Sequence, residues 1–335
     1  MKKFYSFLIF NCLVFLVSAQ IPFENKTLVD KEIGNYMKMI NFNVNPNTLN
    51  YDLKYQRLDV EVDPAVLWIS GSVTSHFLPN QNMSNIYFDF TNTIPVSQVV
   101  YHGQNLNFQQ LSTKELKIDF PATIPANSMD SLTVHYSGVP DNSGRPSFFV
   151  GTKYGYPTLS TLSEPYGAQN WFPTKQSMND KIEGFDFKIT TPDQYSVAAN
   201  GKLMSEIVLP GNKKKTFWRT QYPMAAYLAA ISVGNFTKTN DLMGNSSFPY
   251  VNYIYPDTYA NPAVVANLEW TKTVMQIFEN HFGPYPFSNE KYGHMEFNLP
   301  GAAMEHQTMS SMDSFPRAAI VHELAHQWFG DKITC

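Results

Sequence analysis

Two histidines near the end of the chain have the spacing of metal ligands. His322 and His326 lie four residues apart in the run HELAH, and on a helix that spacing places both imidazoles on one face. Neutral imidazoles bind zinc, and Glu323 is placed to hold a metal-bound water and to accept its proton. The pattern therefore predicts one zinc ion, with His322 and His326 as metal ligands and Glu323 as the catalytic residue.

A catalytic zinc site needs a third protein ligand, and the residues after His326 do not provide a good one. The longer metzincin pattern requires Gly and His at positions that Phe329 and Lys332 occupy here, which excludes that class. A gluzincin, whose third ligand is a Glu on a later helix, fits by elimination, and this Glu is expected beyond Cys335. Asp331 is a poor substitute, because a residue just past the end of the same helix does not reach the metal from the opposite side.

The helices that position these residues come after residue 245, where helical spacing of apolar residues replaces the strand-like alternation of the earlier chain. A helix is predicted to start just after Asn261, which can cap it, and to end at Gly283. The helix that carries the two histidines is predicted to begin at Pro316, with Ser314 as its cap, and to continue to Phe329.

Upstream of this change, turn-forming residues separate short segments in which apolar residues alternate with polar ones, as in β-strands. The parity of the apolar positions changes between Tyr55 and Leu58, which predicts a bulge or a crossing near Gln56 and Arg57. We predict an α+β chain in which a large antiparallel β domain, residues 51–245, follows a polar lead segment, residues 20–50. Residues 246–335 are predicted to be the start of a second, incomplete domain.

Composition and the N-terminus limit the possible partners and location. The chain is 43% hydrophobic, its net charge is −4 and it has no long basic run, so nucleic acid is not expected as a partner. Residues 1–19 have the basic start, the short apolar run and the small residues of a signal peptide cleaved before Gln20. We therefore predict a secreted or periplasmic protein with no transmembrane segment in the mature chain.

Several segments resemble the aminopeptidase N family. Residues 321–331, VHELAHQWFGD, are similar to the zinc helix of that family, and residues 302–306, AAMEH, resemble its Gly-x-Met-Glu-Asn motif. Residues 282–287 resemble the segment that leads to this motif, and residues 163–173 resemble the family's Glu-Pro…Phe-Pro run. Together with the opening strands from Tyr51, these segments carry the resemblance from about residue 51 to the end.

The resemblance implies a saddle-like β domain followed by the beginning of a thermolysin-like zinc peptidase domain. It also implies a zinc aminopeptidase acting on peptides with a free N-terminus. Glu305 and Glu164 would bind the α-ammonium group of the peptide, and two carboxylates in a closed cleft suit one cation. Ala302, Ala303 and Met304 would line the strand along which the substrate lies.

The sequence departs from the family pattern at three positions: Ala302 replaces Gly, His306 replaces Asn and Gln169 replaces Arg. None of these is a metal ligand. Two alternatives stay open, a thermolysin-like endopeptidase and a non-catalytic peptide- or protein-binding module. The second follows from the end of the chain at Cys335, before the expected third ligand, and we expect the 335-residue chain alone to be inactive.

Overall fold

The computed structural model describes residues 44–141 and 146–333. The predicted signal peptide and Cys335 lie outside the described residues. The described part contains four β-sheets, which are built from 20 strands, and three α-helices. It also has short 3-10 turns at Pro46–Thr48, Ala168–Asn170 and Ala226–Leu228. None of the helices in this part has the length and apolar character that a membrane span requires.

The largest sheet has eight strands and contains most of the alternating segments seen in the sequence. In spatial order its strands are β13 (Lys202–Leu209), β14 (Lys213–Thr220), β11 (Gly184–Pro192), β1 (Tyr51–Asp63), β2 (Val66–Pro79), β8 (Asp130–Gly138), β4 (Val96–Tyr101) and β5 (Gln104–Asn105).

The neighbouring strands of this sheet are antiparallel, as predicted, except that β1 and β11 run parallel. Only short connections force neighbouring strands to be antiparallel, and a segment of more than a hundred residues joins these two.

The parity change in the first strand is present, slightly earlier than predicted. The pairing of β1 with β2 is irregular between Leu53 and Tyr55, whereas the sequence placed the bulge near Gln56. After the irregularity the buried positions change phase, so that Leu58 and Val60 face the core together with Gln56. The buried Gln56 amide donates to Ser75 Oγ at 3.0 Å, which satisfies this polar group inside the sheet.

Two smaller sheets pack into the same core. The four-stranded sheet is formed by β12 (Ser196–Ala199), β15 (Ile231–Gly234), β10 (Tyr156–Thr161) and β9 (Phe148–Lys153), and the three-stranded sheet by β3 (Met83–Asp89), β7 (Glu115–Ile124) and β6 (Phe108–Gln110). Side chains of all three sheets form one continuous buried cluster. The predicted α+β chain dominated by antiparallel strands is confirmed.

The fourth sheet has five strands and carries the predicted substrate segment. Its order is β16 (Thr237–Met243), β17 (Phe248–Ile254), β18 (Tyr292–Glu296), β20 (Ser310–Met312) and β19 (Ala303–Met304). The boundary predicted after residue 245 falls in the turn between β16 and β17, which pair with each other, and it stays a prediction.

Strand β17 joins the two parts of the chain because both of its faces are covered. Tyr253 belongs to the large β core, whereas Phe248 and Tyr250 lie in a second core with Met275 and Leu324 from two helices. The helices and the β domain therefore pack on opposite sides of this strand.

Three α-helices are α1 (Pro256–Tyr259), α2 (Pro262–Phe282) and α3 (Arg317–His326). Helix α2 has the predicted ends, because the Asn261 side chain accepts from Ala263 N at 3.0 Å and Gly283, with φ +88°, terminates the helix.

Helix α3 contains both histidines but differs from the prediction at each end. Its cap is Pro316 without a side-chain bond, and Ser314 lies too far upstream to cap it. The regular helix ends at His326, because Gln327 N and Trp328 N donate to carbonyls three residues earlier, which tightens the last turn.

Candidate metal centre and its surroundings

Helix α3 brings the two predicted metal ligands together. His322 Nε2 and His326 Nε2 are 3.1 Å apart, and the two rings are nearly perpendicular at 82°. Two nitrogen ligands of a tetrahedral zinc ion, each about 2.05 Å from the metal, would be about 3.3 Å apart. The observed spacing therefore fits two adjacent positions of one zinc site.

Hydrogen bonding and burial favour the ligating form of both rings. His326 Nδ1 lies 3.0 Å from the carbonyl oxygen of Phe329 and donates to it, which leaves Nε2 with its lone pair. Burial, with a smaller effect from His326, lowers the pKa of His322 to about 4, so this imidazole is neutral near pH 7. Within the described residues no third His, Cys, Asp or Glu completes a metal-binding cluster with them.

Glu323 and Asp331 are both buried near this helix end, but they differ in position. Glu323 follows His322 directly on α3 and is 2% exposed. Asp331 is fully buried, its backbone N–H donates to His326 O, and among the described residues neither of its carboxylate oxygens has a hydrogen-bond partner. Burial raises the pKa of Asp331, with a smaller contribution from Glu305. That Asp331 is a poor substitute for the third ligand stays a prediction.

The residues expected to contact substrate lie at the edge of the five-stranded sheet. Strand β19, formed by Ala303 and Met304, pairs with β20 on one side and is the last strand of the sheet. An edge strand has unpaired backbone groups that an extended peptide can bind.

The Ala in place of Gly at position 302 has a structural explanation. Gly301 has φ +68°, whereas Ala302 is not among the residues with positive φ. The left-handed conformation is thus taken by the preceding glycine, and Ala302 meets no backbone strain.

Glu305 and Glu164 are both buried, at 7% and 8% exposure, and come from different parts of the chain. Glu305 follows β19, and its carbonyl oxygen accepts a bond of 3.0 Å from Nε2 of Gln327, the residue directly after the histidine helix. Glu164 lies in the loop after β10, where Trp171 Nε1 donates to the neighbouring Ser163 Oγ at 2.9 Å. The structure thus links Glu305 to α3, and the shared role of the two carboxylates stays a prediction.

Sequence reasoning missed the polar residues that hold the site loops. Gln327 is fully buried, and from the β domain Asn200 Nδ2 donates to Gln307 O at 2.8 Å. Lys181 Nζ donates to Asp331 O at 2.6 Å, beyond the end of α3. The available signal for Gln327 was its place between His326 and the apolar Trp328 and Phe329, because a buried polar side chain there requires a specific partner.

Lys291 is a fully buried lysine next to these loops. Its Nζ donates to Thr308 O at 3.0 Å and to Thr308 Oγ1 at 3.3 Å, and it lies 5.3 Å from the Trp218 ring centre. Burial lowers the pKa of Lys291 to about 7, although the neighbouring Glu290 opposes this shift. Two acceptors suit a neutral amine, which has two N–H groups to donate.

Lys291 should make the stability of the chain depend on pH. In the unfolded chain its pKa is near 10.5, so the unfolded state binds more protons than the folded state between about pH 7 and pH 10. The free energy of unfolding of the wild type should therefore rise by about 4 kcal/mol over this range relative to Lys291→Met. Below pH 7 the two profiles should run parallel.

Chemical denaturation at pH 6, 7, 8.5 and 10 measures this effect. The exposed Lys202 provides a control, and Lys202→Met should keep the pH profile of the wild type. Parallel profiles of the wild type and Lys291→Met from pH 7 to pH 10 would contradict the lowered pKa.

Comparison with known proteins identifies relatives of this chain. The sequence profile of the peptidase M1 N-terminal domain matches residues 47–228, more than half of the chain. Glutamyl aminopeptidase of Rattus norvegicus is 27% identical over 202 residues, covering 52% of this chain and 20% of that protein. Aminopeptidase A of Gloydius brevicauda is 26% identical over 220 residues, covering 61% of this chain and 22% of that protein. The chain thus spans about a fifth of the length of these relatives.

Solved structures share the fold. A two-domain M1 zinc metallopeptidase variant bound to L-tryptophan has a TM-score of 0.75 at 22% identity, covering 86% of this chain and 67% of that one. An M1 zinc metallopeptidase from Deinococcus radiodurans has a TM-score of 0.71 at 22% identity, covering 85% of this chain and 65% of that one. The likeness extends well beyond the β domain that the sequence profile matches.

Proposed function

This chain belongs to the peptidase M1 family, and we propose that it carries the peptide-recognition part and two zinc ligands of a zinc-dependent aminopeptidase. The observation that carries the proposal is the pair of Nε2 atoms of His322 and His326, 3.1 Å apart on one helix face. The match to glutamyl aminopeptidases supports the same reaction class. The third zinc ligand, a Glu beyond Cys335, is part of the proposal.

In the proposed reaction, His322 and His326 would hold the metal and Glu323 would transfer protons. A zinc ion held by His322 and His326 would polarise the scissile carbonyl and acidify a bound water. Glu323 would take the proton of the attacking water and deliver it to the leaving amine. The bond between His326 and the Phe329 carbonyl keeps the ligand ring oriented through these steps.

Recognition of the N-terminus would come from the edge strand and the two buried carboxylates. An extended peptide pairing with β19 would run its first residue toward Glu305, which follows that strand. Glu305 and Glu164 would bind the α-ammonium group, and a buried ion pair of this kind rejects peptides that lack the charge. The substrate class is therefore peptides with a free N-terminus.

We also propose that the protein acts outside the cytoplasm. The support is the signal-peptide pattern of residues 1–19. N-terminal sequencing of the mature protein tests this, and a mature N-terminus at Met1 would contradict it.

The function is tested with pairs of free and N-acetylated peptides, using the protein that contains this chain. The free peptides should be cleaved one residue at a time, with kcat/KM at least about a hundredfold above that of the acetylated peptides, because acetylation removes the charge that Glu305 binds. Glu305→Gln should raise KM for free peptides by about tenfold or more, with its zinc content unchanged.

Each alternative has its own outcome in this experiment. Equal cleavage of both peptides would reject the exopeptidase assignment and favour an endopeptidase. Binding of the peptides without cleavage, in a protein that lacks bound zinc, would favour the non-catalytic module.

A further inference from the structure

Gln327 connects the histidine helix to the segment that carries Glu305. Its Nε2 donates to Glu305 O at 3.0 Å, and its Oε1 accepts from Thr308 N at 2.8 Å. The Tyr285 hydroxyl lies 3.4 Å from Oε1, but its shorter bond is to Lys291 O at 3.0 Å. One fully buried side chain therefore holds both ends of the four-residue segment Glu305–Thr308.

The Glu305–Thr308 segment has a conformation that needs such support. Thr308 has φ +67°, a conformation that is unfavourable for a β-branched residue. Its oxygen atoms accept bonds from Lys291 Nζ, and its Oγ1 also accepts from Gly201 N at 2.8 Å. These contacts fix the segment to the β domain and to the sheet, and Gln327 fixes it to α3.

Because Gln327 is next to His326 in the chain, its bond to Glu305 O connects the metal-ligand position to the Glu305 segment. In an aminopeptidase, the distance between the metal and the group that binds the N-terminus determines which peptide bond is cut.

We propose that Gln327 is a positioning residue that sets the distance between the zinc ligands and the Glu305 carboxylate. It thereby limits cleavage to the first peptide bond. This inference rests on the proposed aminopeptidase function, although the link itself can be tested without activity.

The link is tested by hydrogen exchange on the 335-residue chain. Gln327→Met keeps a side chain of similar length but removes both bonds, so the amides of residues 305–309 should exchange about tenfold faster or more. Trp328→Phe is the matched control, because it changes the residue next to Gln327 and removes a different bond, that of 3.2 Å from Trp328 Nε1 to Gly283 O. It should leave exchange in residues 305–309 unchanged.

The consequence for specificity is tested in the protein that contains this chain. In Gln327→Met the ratio of kcat/KM for free over N-acetylated peptides should fall by about tenfold, through a higher KM for free peptides, with zinc content unchanged. Release of dipeptides should appear. Trp328→Phe should change both substrates by the same factor.

The outcomes separate the two proposals. Unchanged exchange in residues 305–309 of Gln327→Met, or an unchanged ratio with equal loss on both substrates, would overturn the positioning role. A wild type that does not distinguish free from acetylated peptides would instead reject the aminopeptidase function, and the exchange result would still decide whether the link exists.

Discussion

Glu323→Gln is expected to lower kcat for peptide cleavage by about 10³-fold in the protein that contains this chain, while zinc content stays the same. Glutamine keeps the size of the side chain and can hold a water, but it cannot accept the proton of that water. The residue is buried on α3 beside His322, where a base is protected from bulk solvent. Because Glu323 is not a predicted metal ligand, the change should separate proton transfer from metal binding.

Steady-state kinetics together with metal analysis of the purified variant checks this expectation. Glu269→Gln on α2 is a matched control, because that carboxylate is exposed and forms a surface ion pair with Lys272. It should retain wild-type kcat. A Glu323→Gln enzyme within about tenfold of the wild type, with full zinc, would show that another group is the base.

The largest expected effect on stability is that of Gly293→Ala. Gly293 lies in β18, opposite Val251 of β17, and a Cβ atom there would lie only 1.7 Å from the Val251 carbonyl oxygen. Two strands of the five-stranded sheet would have to separate to admit the methyl group. We expect the free energy of unfolding to fall by about 3 to 5 kcal/mol.

Denaturant unfolding of the 335-residue chain measures this change. Gly184→Ala in β11 is the control, because the nearest atom to its Cβ would be Tyr55 Cδ2 at 3.4 Å, an ordinary contact. That variant should stay within about 1 kcal/mol of the wild type, since alanine costs less conformational entropy in a strand than glycine. Equal stability of the two variants would contradict the close packing of β17 and β18.

Local patterns predicted several elements correctly, because those elements follow from the chain itself. The alternation in β1 revealed both the strand and its parity change, since one face of that strand is buried. The ends of α2 follow from Asn261 and Gly283, which act through neighbouring backbone groups. The HELAH spacing placed both imidazoles on one side of α3 for the same reason.

Other elements had no local signal. Strands β10 and β15 are buried on both faces and contain polar residues, among them Ser160 and Ser232, whose hydroxyl groups bond to each other at 3.0 Å. From the sequence, a serine in such a strand is predicted to be exposed to solvent, because the partner that would satisfy its hydroxyl group is more than seventy residues away. The parallel pairing of β1 with β11 has the same origin, since it joins distant segments.

For this protein the sequence alone determined the chemistry that each residue type can perform: two imidazoles that can share one metal ion, a carboxylate beside them, and a motif that can form an edge strand. The tertiary structure decided the arrangement of these groups. Gln327 meets Glu305 across 22 residues, and the strained Thr308 is held by Lys291 and Gly201. Short-range geometry is encoded in residue spacing, whereas contacts between distant segments depend on how the sheets pack, which no local pattern specifies.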